Sequence, residues 1–219
     1  MVMVAQQQQV RPALGIRRGM AAPSVVRKLV ANGGEVLAVE LRTYRVRKNV
    51  RARIAAGEDK LLALAAHDQD AVDPVRLGQA RVRAHAVQRM IDHYVPDDDH
   101  AFALSSRVET VHGQRFLLLL DFACPVGEEQ LADVVRACQF NGWRGAVLES
   151  GSSYHFMGFE PMEFGAWVAA MGRALLLSGL IDVRYMGHAL ARGAGALRLH
   201  ACEAKPTMPR VVALVGRGA

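Results

Sequence analysis

The chain has 219 residues, 51% hydrophobic, 22% charged and 6% aromatic, enough apolar material for one well-buried domain or two small subdomains on a shared core. Collagen-like, coiled-coil and disulfide-scaffold architectures are excluded: Gly and Pro show no period, no heptad is sustained, and the cysteines are only Cys124, Cys138 and Cys202. Lys and Arg number 27 against 21 Asp and Glu, a net charge of +6 that favours an anionic partner.

In chain order, residues Met1 to about Pro23 are Gln-, Gly- and Arg-containing with little apolar periodicity, and read as a flexible tail over 1–23. That start lacks the apolar core of a secretory signal, and apolar runs such as Phe116–Leu120 and Ala174–Leu177 fall far short of the about 20 residues that span a bilayer. With an odd, sparse cysteine content, a cytoplasmic protein that does not enter membranes is the expectation. From Ser24, the spacing of Val25, Val26, Leu29 and Val30 predicts a short helix that stops at Asn32-Gly33-Gly34. Glu35 to Ala66 opens with strand-like positions at Val36, Val39 and Leu41, then turns basic and rich in Ala and Leu, and reads as mostly helix. Asp73-Pro74 is a helix-start signal, followed by the apolar positions Val75, Leu77, Ala80, Val82, Ala86, Val87, Met90 and Ile91. Residues 24–100 are therefore expected to be mainly helical.

After Pro96 the pattern changes. Ala101–Val108 and Arg115–Phe122 read as strands joined through His112-Gly113-Gln114. Glu128–Phe140 reads as a helix, and Gly145–Glu149 and Tyr154–Gly158 as strands around the turn Ser150-Gly151-Ser152-Ser153. A long apolar helix follows over Pro161–Leu177, then two further strand candidates, Ala196–Ala201 and Arg210–Val215. The expected fold is α+β, with a helical N-terminal part packed on an antiparallel sheet core over 101–219.

The chain lacks a GxxxxGK[ST] loop, a GxGxxG fingerprint, a GxSxG elbow, an HExxH helix and any CxxC pair. What remains is a constellation in the second half. Asp121 ends an apolar strand, a costly place for a charge unless it is paired or metal-bound; it also suits a cap of the turn before Pro125. Asp182 follows Leu180-Ile181 and is either a second carboxylate on the same sheet or the cap of the next segment. The hydroxyls and exposed N–H groups of Glu149-Ser150-Gly151-Ser152-Ser153-Tyr154-His155 form either a phosphate cradle or an ordinary polar turn. In an extended segment Ser153 and His155 share one face while Tyr154 points away. That parallel arrangement argues against a Ser/His hydrolase, whose base must face the nucleophile.

An apolar strand ending in Asp, a Ser-x-His after a helix and strand, and a hydrophobic residue followed by Asp after another helix resemble the three-motif core of the archaeo-eukaryotic primase superfamily. The matching residues are Asp121, Ser153-Tyr154-His155 and Ile181-Asp182, and the segment from Arg184-Tyr185-Met186-Gly187-His188 through Leu197-Arg198-Leu199 to Lys205-Pro206 is also similar to small bacterial members. The resemblance covers about residues 101 to 215 and implies an RRM-like sheet core. It further implies Mg²⁺ or Mn²⁺ held by Asp121 and Asp182, with attack of a 3′-hydroxyl on the α-phosphate of a nucleoside triphosphate. Ser153 and His155 would hold the triphosphate, and Arg184, His188 and Arg198 would line the nucleotide or template side.

One departure is plain: the family's first motif carries a second carboxylate two residues after the first, and here Ala123 stands in that place. Glu149, Glu128 and Glu129 are the carboxylates considered as substitutes. Two readings follow, a primase-polymerase-like nucleotidyltransferase and an inactive primase-like subunit that binds nucleic acid or a protein partner in a larger assembly. Apart from the resemblance, Arg42, Arg45, Arg47, Lys48, Arg51 and Arg53 fall within twelve residues without an acid among them. If helical, three or four of them would contact a nucleic-acid strand at once; the bland alternative is a solvated charged face.

Overall fold

A computed structural model of the protein describes residues 14–32, 34–45, 54–60, 75–78, 81–82, 85–93, 100–203 and 205–216. Among them the elements run α1 (Ala22–Asn32), β1 (Val36–Arg45), β2 (Val75–Gly78), α2 (Ala86–His93), β3 (His100–Thr110), β4 (Gly113–Phe116), β5 (Leu119–Asp121), α3 (Glu128–Phe140), β6 (Gly145–Glu149), β7 (Tyr154–Gly158), α4 (Phe164–Leu175), α5 (Val183–Arg192), β8 (Ala196–Arg198) and β9 (Arg210–Val215). The fold is α+β, as the element pattern implies. The strands form two antiparallel sheets. One has the order β2-β1-β3-β4 with β8 also on β3, and the other the order β5-β7-β6-β9.

Two cores explain why the sheets lie where they do. Strand alternation puts Leu119, Met157, Ala146 and Leu148 on one face of the second sheet, and they share a core with Val39, Leu41, Leu104 and Leu197 of the first sheet and with α1. The opposite face, with Leu120, Phe156, Tyr154 and Val147, packs on Val134 and Cys138 of α3, Trp167 and Met171 of α4 and Met186 of α5. Within the run Phe116–Leu120 the chain changes sheets: the Leu117 N–H donates to Ser106 O at 2.8 Å, and Leu118 O accepts from the Gly158 N–H at 2.8 Å. The expected single strand Arg115–Phe122 is therefore two, because a run that is apolar at every position carries no periodic mark of the bend.

Three expectations for the N-terminal part are corrected. The stretch read as mostly helix contains β1, whose residues from Val36 to Arg45 pair with β3. Val75 opens a strand rather than a helix, since Leu77 and Arg76 pair with Val39 and Glu40 of β1. Residues 14–23 are not a tail: the Gly19 N–H donates to Val211 O at 2.8 Å, the Val211 N–H to Met20 O at 2.9 Å, and the Ala22 N–H to Pro209 O at 2.9 Å. This segment covers the outer edge of β9 at Arg210–Val211, an edge that would otherwise be open to pairing.

Candidate functional site

The end of β5 and the start of β7 are fixed by their ladder, in which Asp121 lies opposite His155 and His155 opposite Leu148. These positions continue the face carrying Leu119 and Met157, so the pair sits at the rim of the core shared by the two sheets. His155 is buried, and its Nε2 lies 3.7 Å from Asp121 Oδ1, whose side chain keeps 29% exposure. That separation is an electrostatic contact rather than a hydrogen bond.

Asp182 reaches the same place through the backbone. The chain leaving α4 runs antiparallel to the end of β5, with a bridge between Phe122 and Ile181. The Asp182 N–H donates to Asp121 O at 2.9 Å, and the Ala123 N–H to Leu180 O at 2.9 Å. The Asp182 carboxylate also caps α5, accepting from the N–H groups of Arg184 at 2.9 Å and Tyr185 at 3.0 Å. Both sequence readings of Asp182, cap and second carboxylate, hold at once.

Burial, and next the negative charge of Asp182, push the Asp121 carboxyl up from 3.8 to about 7, against the pull of Lys205, Arg198 and the Phe122 N–H. Burial, with Arg198 and Lys205 adding to it, pushes His155 down from 6.5 to about 3. Both shifts favour the uncharged forms, a protonated Asp121 carboxyl and a neutral His155 imidazole.

The Ser150–Ser153 turn closes on itself. Ser153 O accepts from the Ser150 N–H at 2.9 Å and from Ser150 Oγ at 3.1 Å, and the two hydroxyl oxygens lie 3.4 Å apart. Arg198, only 5% exposed, ties this turn to the loop after β8: Nη2 donates to Ser150 O at 2.6 Å, and Nη1 to Thr207 O at 2.7 Å and to His200 O. A buried guanidinium is tolerable here because carbonyl oxygens take up its N–H groups. Lys205, in the same loop and exposed, is the residue the motifs assigned no role; its charge acts on both Asp121 and His155. A lone lysine fifty residues beyond Ser153 carries no local signal, and only the docking of β8 on β3 brings it here.

The structure thus gathers Asp121, His155, Asp182 and Arg198 around the Ser153 turn. Arg184 and His188 follow Asp182 on α5, both half-buried. The basic run fares differently. Arg42 and Arg45 lie on β1, a strand rather than a helix, and Arg42 pairs with Glu40 at 2.7 Å. Arg47, Lys48, Arg51 and Arg53 lie outside the described residues. The substitute carboxylates do not join the site. Glu149 pairs in register with Tyr154 and so takes the opposite face from His155, while Glu128 and Glu129 are exposed in the first turn of α3, under that opposite face.

Two antiparallel sheets on a shared core, with two carboxylates, a Ser-x-His segment and a buried arginine gathered at its rim, fit one class, the primase-like α+β proteins. The family model described as AEP-like, archaeo-eukaryotic primase 1D-like, matches residues 80–209. This is more than half of the chain, and the chain belongs to that family. No curated protein and no solved structure matches it. The family points to a nucleotide- or nucleic-acid-related function, and no helix among the described residues is long and apolar enough to cross a membrane.

Such proteins typically use divalent metal ions. A metal pair needs several oxygen ligands to hold two ions about 3.5 to 4 Å apart. Here Asp182 Oδ1 already caps a helix, Ala123 offers a methyl group, and no cluster of three or more His, Cys, Asp or Glu is placed to hold a metal among the described residues. This donor set does not fit a metal pair.

Proposed function

We propose that this chain is a primase-like binding protein that takes a nucleoside triphosphate or another phosphate-bearing end of a nucleic acid into the opening between its sheets, without transferring nucleotidyl groups. The observation that carries this reading is the composition of the rim: two carboxylates, Asp121 with its proton affinity raised by burial and by Asp182, stand beside two cations and a hydroxyl-rich turn. Phosphate oxygens are matched by Lys205, by the hydroxyl of Ser153 and by the N–H groups of the turn, with His155 a neutral donor or acceptor. Arg42 and Arg45 on β1, with the basic residues that follow, supply the nucleic-acid contact in this reading, and each phosphate neutralised on a single strand adds about 0.7 to the slope of log K against log salt.

The test is binding of a fluorescent nucleoside triphosphate and of single-stranded DNA over a salt series. It runs beside primer extension on a DNA template with Mg²⁺ and with Mn²⁺, for the wild type, Asp121→Ala, His155→Ala and Lys205→Ala. Salt-sensitive binding weakened by Lys205→Ala, with no extension under either ion, is the expected result. Extension that Asp121→Ala and His155→Ala both abolish would overturn the binding-only reading and establish a nucleotidyltransferase. No binding of either ligand would overturn the whole assignment.

A further inference from the structure

A cavity of about 520 Å³ lies behind the Ser150 turn, lined by Glu149 and Leu131, which belong to the side of the second sheet away from His155. Its volume is in the range of small-ligand sites. Leu131 and Met208 give it apolar walls, and Arg18, Glu149, Thr207 and Arg210 its polar groups. The protein leaves these groups incompletely matched. Glu149 stands opposite Arg210 in the β6–β9 ladder, yet its half-buried carboxylate makes no hydrogen bond or ion pair among the described residues. Each arginine is held by one backbone carbonyl: Arg18 Nε donates to Val212 O at 2.6 Å, and Arg210 Nη1 to Gly19 O at 3.1 Å. Neither makes an ion pair among the described residues, so the remaining guanidinium nitrogens of both can take an anion.

The loop after β8 divides this cavity from the rim. Thr207 O accepts from Arg198 Nη1 at 2.7 Å, and a Cβ added at Gly151 would lie 3.2 Å from the Thr207 side chain, so loop and turn are in close contact. Lys205 at the rim and Thr207 at the cavity are two residues apart, at most about 7 Å of chain. A nucleotide whose phosphate sits by Lys205 is therefore long enough to reach the cavity with its base.

We propose that the cavity holds the base joined to the phosphate at the rim and selects guanine, with Glu149 the residue that reads it; this rests on the nucleotide-binding function proposed for the chain. A carboxylate only accepts hydrogen bonds. Of the nucleobases, guanine alone sets two adjacent N–H donors, N1–H and N2–H, on its Watson–Crick edge, and the two oxygens of Glu149 accept from both while the Thr207 hydroxyl donates to O6. Adenine and cytosine place an acceptor nitrogen beside a single amino group, so one carboxylate oxygen would face a lone pair and lose its partner. Leu131 and Met208 cover the ring faces. Arg18 and Arg210 remain for the next phosphate, which favours the end of a strand over a free triphosphate as the source of the base.

Competition binding at fixed salt tests this, with 5′-phosphorylated oligothymidylates whose first nucleotide is deoxyguanosine, thymidine or deoxyinosine, and with GTP and ATP as free nucleotides. The deoxyguanosine oligomer is expected to bind about tenfold or more tighter than the thymidine one, with the deoxyinosine oligomer, which lacks only the N2 amino group, in between. Glu149→Gln, its fold checked by the thermal midpoint, is expected to lose the preference, because the amide sets a donor where guanine also has one. A preference for GTP over ATP without one among the oligomers would overturn the strand end as the source. Equal affinity for every ligand, or a guanine preference that survives in Glu149→Gln, would overturn the proposal while leaving phosphate binding at the rim in place. No binding of any of these ligands would overturn both. Lys205→Ala, expected to weaken all of them alike, separates the rim from the cavity.

Discussion

Replacing Asp121 by Asn should uncover a pH dependence of stability that the wild-type pair conceals. Asp121 has a folded pKa of about 7 against 3.8 unfolded, so its contribution is complete below pH 3.8 and is lost as pH rises through 7. His155 has a folded pKa of about 3 against 6.5 unfolded, so its contribution is complete above pH 6.5 and is lost as pH falls through 3. Between 3.8 and 6.5 the two opposite slopes cancel. The unfolded pair then holds one proton, on the imidazole, and the folded pair also holds one, whichever of the two side chains carries it across the 3.7 Å gap. Folding exchanges no proton there, and the pair adds no slope.

Asp121→Asn leaves His155 as the only titrating member, and the groups that depress it, its burial with Arg198 and Lys205, remain. Stability of the variant relative to wild type should therefore fall with acidification below pH ~7 by at most ~1.4 kcal/mol per pH unit, or about 3 kcal/mol by pH ~5. Urea unfolding followed by the fluorescence of the buried Trp143 and Trp167 at a series of pH values reads this difference directly. His155→Gln should give the mirror image, a relative stability that falls as pH rises from about 3 to 6.5. A variant-minus-wild-type difference that is flat in pH for both substitutions would refute the argument, since it would mean that neither group changes its proton affinity on folding.

Other expectations are as definite. Asp182→Ala should destabilise by about 1 kcal/mol through the lost cap of α5, and Asp182→Asn by much less, as read by thermal unfolding; equal losses would mean that the charge, not the cap, is what matters. Gly145→Ala should cost about 2 kcal/mol or more in urea unfolding, because the new Cβ would lie 2.3 Å from Met157 O and 2.7 Å from the Phe156 ring. Arg198→Met should raise the pKa of His155 from about 3 toward 6.5 by removing one of the charges that depress it. An NMR titration of the imidazole checks this, and no upward movement would refute it.

From α3 to β7 the sequence marks its own elements. Gly145–Glu149, Tyr154–Gly158 and the helix Glu128–Phe140 have the bounds the pattern implies, because each apolar segment is short, bounded by turn residues and of one period. The opening of the chain is less legible for two identifiable reasons. β1 carries irregularities in its pairing with β3 between Val36 and Ala38 and between Val39 and Leu41, and each bulge breaks the two-residue alternation that marks a strand. Its Leu and Arg residues also have good helix propensity, which pairing with β2 and β3 overrides. At the site, Asp121, His155 and Asp182 were legible as motif positions. Lys205 was not, nor was the attachment of Arg198 to the Ser150 carbonyl, since both depend on a loop folded back from β8.

The exchange of a carboxylate for Ala123 also changes the charge balance of the opening. A third carboxylate beside Asp121 and Asp182 would push proton affinities still higher, as Asp182 already does to Asp121, unless a cation came to relieve it. With a methyl group in its place, Asp182 and the partly ionised Asp121 face Arg198 and Lys205, and His155 is neutral at pH 7. The cations then match or outnumber the ionised carboxylates, so the rim favours an anion by its own side chains. On the proposed reading, a methyl group at Ala123 in place of a carboxylate lowers the electrostatic barrier to a phosphate at this rim.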